Sequence, residues 1–133
     1  METDQSRGKF NEWRDKCLAI LDNGSVVPCS DQSEWVEWMR EDSLGAGNHL
    51  IAEDVIQGFY VVTEFLGINQ NVSGTGPPLW FETMVFRQSA QNGLRVKIEY
   101  GIVRYSTQAD ALAGHAIICD KVKRMFPGHP WAG

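Results

Sequence analysis

Phe59-Tyr60-Val61-Val62-Thr63-Glu64-Phe65-Leu66 is dense in β-branched and aromatic residues, and Gly67 closes the run. Such side chains fit a pleated, half-buried surface, so the stretch reads as a strand. Residues 69–78 hold two glycines and two prolines and read as a loop. Residues 79–86 then form a second strand, Gln91-Asn92-Gly93 supplies a hairpin turn signal, and residues 94–105 return as a third. Along that third strand Leu94, Val96, Ile98, Tyr100 and Ile102 alternate with Arg95, Lys97 and Glu99. The alternation predicts a sheet with one face on a core and the other in water.

A helix should cover the inner face. Thr107 is its expected cap, with Asp110 at the third helical position. Leu112, His115, Cys119, Val122 and Phe126 recur at helical spacing as the inward stripe, flanked by Ile118 and Met125, and Pro127-Gly128 ends it. Toward the N-terminus, Leu50, Ile51, Val55 and Ile56 are read as a short helix before the sheet, although so few residues do not let periodicity separate helix from strand. Residues 43–48, around Gly45-Ala46-Gly47, read as a loop.

Asp31 and Glu34 have the spacing of a capping box, so a helix begins there, with Trp35, Trp38 and Met39 on one face and Glu34, Glu37 and Glu41 away from it. Phe10, Trp13, Cys17 and Ile20 or Leu21 step by three and four. That spacing predicts an earlier helix over about residues 8–22, stopped by Asn23-Gly24 and followed by a connector over residues 23–30. The fold expected is α+β, in one domain over residues 1–133. Residues 1–57 are mainly helical and acidic, with two or three helices. Residues 58–126 form a β-β-β-α core, a three-stranded antiparallel sheet against the C-terminal helix, and residues 127–133 are a tail.

The bulk numbers fit an ordinary folded domain. At 133 residues the chain can bury about two-thirds of its unfolded surface, and 43% hydrophobic with 22% charged residues argues against disorder. The net charge of −5 is unevenly spread. Residues 1–66 hold thirteen Asp and Glu against five Lys and Arg, whereas residues 67–133 hold four against seven. An acidic half repels nucleic acid and favours a basic partner surface. Cys17, Cys29 and Cys119 form no C-x-x-C pair and leave one over, which fits free thiols in a reducing cytoplasm. Residues 1–8 lack the order of a signal peptide, and no apolar run approaches the ~18 residues of a membrane span. A cytoplasmic location is expected.

Phe65-Leu66-Gly67-Ile68-Asn69, Gly76-Pro77-Pro78-Leu79-Trp80-Phe81-Glu82-Thr83-Met84-Val85-Phe86, Arg104-Tyr105-Ser106-Thr107 and Ala111-Leu112-Ala113-Gly114-His115 together resemble a family of small proteins carried by bacteriophages and prophages. The resemblance covers about residues 59–120 and implies a mobile-element origin in a bacterial host cell. It implies no particular reaction. Members of that family carry an Asp-His pair after the first strand's glycine and a double glycine after the second strand. Asn69-Gln70 and Arg87-Gln88 stand at those places here.

Chemistry-bearing residues are few. His115 is the one ionisable group on an apolar helical stripe, either a base with a shifted pKa or a core histidine held by a hydrogen bond. Glu64 and Glu82 occupy comparable places in neighbouring strands. They could divide acid and base work, hold Mg²⁺ with water, or pair with Arg95, Lys97 or Arg104 on an adjacent strand, the last being the reading preferred. His49, His115 and His129 stand far apart, no Cys or His is read as lying at ligand spacing to another, and no metal or cofactor is expected. Lys121, Lys123 and Arg124, near the end of the last helix, are explained by its dipole, so direct nucleic-acid binding is not expected.

The function expected is that of a non-enzymatic phage or prophage accessory protein that binds a host protein with a basic surface through Glu34, Trp35, Glu37, Trp38, Glu41 and Asp42. A host-defence nuclease, inhibited in the manner of an anti-CRISPR protein, is a natural target because its nucleic-acid channel is basic. The alternatives are a small enzyme built on Glu64, Glu82 or His115, and a virion assembly protein that uses an unpaired sheet edge.

Overall fold

The computed structural model describes residues 17–73, 75–88, 93–97 and 102–125. Its centre is an antiparallel sheet of five strands, larger than the three expected: β3 (Leu50–Ile56), β4 (Phe59–Phe65), β5 (Phe81–Gln88), β6 (Arg95–Lys97) and β7 (Val103–Tyr105). Their order is β3-β4-β5-β6, and β7 also pairs with β5. A separate two-stranded hairpin, β1 (Ala19–Asp22) and β2 (Ser25–Pro28), precedes helix α1 (Gln32–Glu41), and helix α2 (Gln108–Met125) closes the described chain.

The extra strands have local causes. Leu50, Ile51, Val55 and Ile56 lie in β3 because Gln57 and Gly58 both take positive φ, 52° and 84°, and fold the chain straight back onto β4. Asn23 and Gly24 do the same, at 54° and 84°, between β1 and β2. Positive φ at both central residues is the type I′ hairpin pattern, whose twist matches that of the strands it joins. The helix expected over residues 8–22 is therefore corrected: Ala19–Asp22 is a strand, while residues 8–16 lie outside those described. The connector expected over residues 23–30 holds strand β2, and the short helix expected around Leu50 to Ile56 is strand β3. The described part of residues 1–57, expected to be mainly helical with two or three helices, has one α-helix and three strands. Among the described residues the expected third strand appears as two short pieces on one edge of β5, with Phe86 opposite Lys97 and Thr83 opposite Val103, while Ile98, Glu99 and Tyr100 lie outside those described. Val96 and Ile102, expected inside, are exposed at that edge.

Register decides which side chains meet α2. Phe59, Val61, Thr63 and Phe65 of β4 stand opposite Arg87, Val85, Thr83 and Phe81 of β5, and direct antiparallel partners share a face. Helix α2 lies over this face, with Ala111, His115, Ile118 and Val122 buried. The inward stripe is thus rotated from the one expected. Leu112 and Met125 are exposed, Cys119 is half-buried, and Phe126, the expected Pro127-Gly128 stop and the expected tail over residues 127–133 lie outside the described residues. Thr107 caps the helix as expected, its hydroxyl accepting from the Asp110 N–H at 3.1 Å.

The core is in two parts. Ile56, Phe59, Val61, Val85, Ile118 and Val122 form one cluster, and Ala19, Leu21, Phe65, Trp80, Phe81 and Ala111 form the other. Burying each large side chain stabilises by about 1.5–3 kcal/mol. Helix α1 packs beside the second cluster, where Trp38 meets Phe65 edge-on at 5.8 Å between ring centroids.

Candidate functional site

Between the two apolar clusters lies a layer of polar groups. Thr63 follows Val61 on the inner face of β4, Thr83 precedes Val85 on β5, and His115 falls between Ala111 and Ile118 on α2. The Thr63 and Thr83 hydroxyls are 2.5 Å apart, and His115 Nδ1 is 2.7 Å from Thr63 Oγ1. The other ring nitrogen, Nε2, is 2.7 Å from Asp54 Oδ2 on β3. Asp54 stands opposite Val61, which puts it on the same face at the sheet margin, with its side chain 58% exposed. One imidazole thus links a surface carboxylate to two hydroxyls in the middle of the core.

The order carboxylate, imidazole, hydroxyl resembles that of a nucleophilic relay, but access is missing. Thr63 is 0% exposed and Thr83 1%, so no substrate carbonyl can reach either hydroxyl. Cys119, one turn beyond His115, has its thiol 3.8 Å from Asp54 Oδ2. Burial, then the Asp54 charge and its hydrogen bond, push the thiol up to about 11, so it stays protonated at neutral pH and is a poor nucleophile.

The carboxylates considered from sequence sit elsewhere. Glu64 and Glu82 are direct cross-strand partners, next to Thr63 and Thr83 and hence on the opposite face from His115. Glu82 accepts from Arg104 Nε at 3.0 Å, one of the ion pairs anticipated. Arg95 instead bonds Glu53 Oε1 at 3.0 Å and lies 4.0 Å over the Tyr60 ring. The two glutamates therefore do not converge with His115.

Helix α1 is the other candidate. Asp31 caps it, accepting from the Ser33 and Glu34 N–H groups. Trp35 and Trp38 are half-buried and turned inward. Trp35 Nε1 donates to the Gly67 carbonyl at 3.0 Å, and a Cβ at Gly67 would stand 3.0 Å from that same nitrogen. Glu34, Glu37 and Glu41 are exposed at positions i, i+3 and i+7, a ridge about 10 Å long at 1.5 Å per residue. Arg40 pairs with Glu37 at 2.8 Å, an exposed contact of little energetic weight. Gln32, Ser33 and Val36 line a shallow depression of about 350 Å³ beside the ridge.

Asp42 lies just past α1 and is buried. It accepts from the Asn48 N–H at 2.5 Å and the His49 N–H at 2.9 Å, and its Oδ2 is 2.5 Å from His49 Nδ1. Burial alone would raise its pKa, but the His49 side chain and the two backbone donors outweigh that and hold the carboxyl below its ordinary value. It organises the turn that leads into β3. Of the six residues expected to meet a partner, Glu34, Glu37 and Glu41 are the ones whose side chains face solvent.

The sequence reading missed Asp54, Thr63, Thr83 and the proximity of Cys119. One signal was present: His115 and Cys119 are four apart on a helix, which sets them side by side. The donor atoms of Asp54, His115 and Cys119 all lie within 4.8 Å of one another.

Compared with protein-family models, with curated proteins and with solved structures, the chain matches none. No helix among the described residues is long and apolar enough to cross a membrane.

Proposed function

We propose that this is a non-enzymatic binding protein of phage or prophage origin, which docks the acidic ridge of α1 on a basic surface of a host protein. The observation that carries the reading is the two-sidedness of α1: both tryptophans fix it to the body while Glu34, Glu37 and Glu41 stand in solvent on the other side. A rigid row of carboxylates loses little entropy on binding and steers association with a positively charged groove. The enclosed hydroxyls and the protonated thiol also weigh against the enzymatic alternative. A nucleic-acid-binding protein, such as a host-defence nuclease, has a groove of the required sign.

The test is capture of a partner by the wild-type protein and by a triple variant, Glu34→Lys, Glu37→Lys and Glu41→Lys. All three sites are exposed, so stability should change by no more than about 0.5 kcal/mol per site. The expected partner is released by duplex DNA and by salt, and the triple variant fails to retain it. Equal retention by the triple variant would overturn the proposal.

A further inference from the structure

The layer under α2 carries a second possibility, which does not depend on the acidic ridge. His115 and Cys119 project side by side from successive turns of α2. Asp54 reaches them from β3, its Oδ2 2.7 Å from His115 Nε2 and 3.8 Å from Cys119 Sγ. The three groups open on a cavity of about 550 Å³, with Ile56, Asp120 and Lys123 also in its lining. We propose that Asp54, His115 and Cys119 form a zinc-binding site whose fourth position faces this cavity.

The donor set selects the metal. A thiolate, an imidazole and a carboxylate suit zinc, whereas magnesium and calcium require shells of six or more oxygens. Zinc bonds of about 2.0–2.3 Å at tetrahedral angles place donors roughly 3.3–3.6 Å apart. The sulfur–oxygen spacing is already close to that, and the exposed Asp54 side chain is free to turn and widen its spacing to Nε2. A divalent cation seated between the Asp54 carboxylate and the Cys119 sulfur offsets the repulsion between two anionic donors.

His115 brings a further element of a built site. A metal-ligating histidine typically donates its other ring N–H to a fixed acceptor, and Thr63 Oγ1 stands in that position at 2.7 Å from Nδ1. A carboxylate only accepts, so a neutral His115 donates Nε2–H to Asp54 and accepts at Nδ1 from the Thr63 hydroxyl. With metal, the imidazole proton resides on Nδ1 and is donated to Thr63. Because each threonine hydroxyl both donates and accepts, the relay runs in either direction. On binding, the Cys119 thiol proton leaves to solvent and the sulfur electron pair forms the metal bond. Water from the cavity, whose lining carries both Asp120 and Lys123, would complete the shell as fourth ligand.

Full-length protein stripped with a chelator is titrated with Co²⁺ alone. One equivalent should bind with a thiolate-to-cobalt charge-transfer band in the near ultraviolet, and Zn²⁺ should displace it. Cys119→Ser should abolish the band, Asp54→Asn should weaken binding at least about tenfold, and Thr63→Val should weaken it about 10–100-fold. Far-ultraviolet circular dichroism checks each variant. If Thr63→Val fails to fold, the other two, at half-buried and exposed positions, still decide. Absence of the band overturns the site, as does a band that survives Cys119→Ser because Cys17 or Cys29 carries it, or an affinity indifferent to Asp54→Asn.

Discussion

Gly114 shows how tightly α2 is laid on the sheet. A Cβ added there would stand 2.2–2.4 Å from the Cε1, hydroxyl and Cζ atoms of Tyr105 on β7. Alanine is favoured over glycine in a helix by about 1 kcal/mol, so propensity alone would make Gly114→Ala stabilising. Overpacking costs about 1–3 kcal/mol, and a contact this short lies at the upper end. Gly114→Ala should therefore lower stability by about 1–2 kcal/mol in urea unfolding, and by much less in a Tyr105→Leu background. A stabilised single variant would show that the helix stands off from β7. That Tyr105 fills the space at Gly114 was not legible in the sequence, since no local pattern encodes a contact between a strand and the next helix.

At the scale of elements, the turn from α1 into β3 depends on one buried carboxylate. Asp42 has a folded pKa below the unfolded value of about 3.9. A depressed carboxyl contributes stability above its unfolded pKa and loses it as pH falls through the folded one. Asp42→Asn should accordingly lower the melting temperature most at pH 5–7, and the gap to wild type should narrow below about pH 4. A gap constant from pH 7 to pH 2 would mean that charge plays no part there. The elements themselves were unevenly legible. Asp31 with Glu34, and Thr107 with Asp110, announced both described α-helices because capping is a local transaction between a side chain and nearby N–H groups. Asn23-Gly24 misled because the same left-handed dipeptide ends helices and turns hairpins, and only the partner strand decides between them. Gln57-Gly58 gave a weaker signal for the same geometry. At the candidate site His115 was visible from its stripe, but Asp54, Thr63 and Thr83 come from strands 52 to 61 residues away by sequence or from their cross-strand partner, and register alone brings them together.

Across the whole molecule, protection should follow the layering. Strand β4 pairs with β3 on one side and β5 on the other and lies beneath α2, whereas β1 and β2 pair with each other outside the main sheet. Native-state hydrogen exchange should find the amides of β4 slowest and those of the β1–β2 hairpin opening at lower free energy; equal protection in both would contradict this account of the core. Strand β3 is the exposed margin of the sheet, and Glu53 and Asp54 in its middle discourage pairing with a second chain. The polar layer also has a consequence for how α2 finds its seat. Apolar surfaces tolerate sliding, and a helix on a greasy sheet could settle one turn, about 5.4 Å, out of place. Such a slip would bring Ala111 or Cys119 to Thr63 in place of His115, and alanine would leave two buried hydroxyls without the imidazole. His115 thus acts as an index pin: the clusters on either side supply adhesion, and the imidazole sets the one position at which the helix stops.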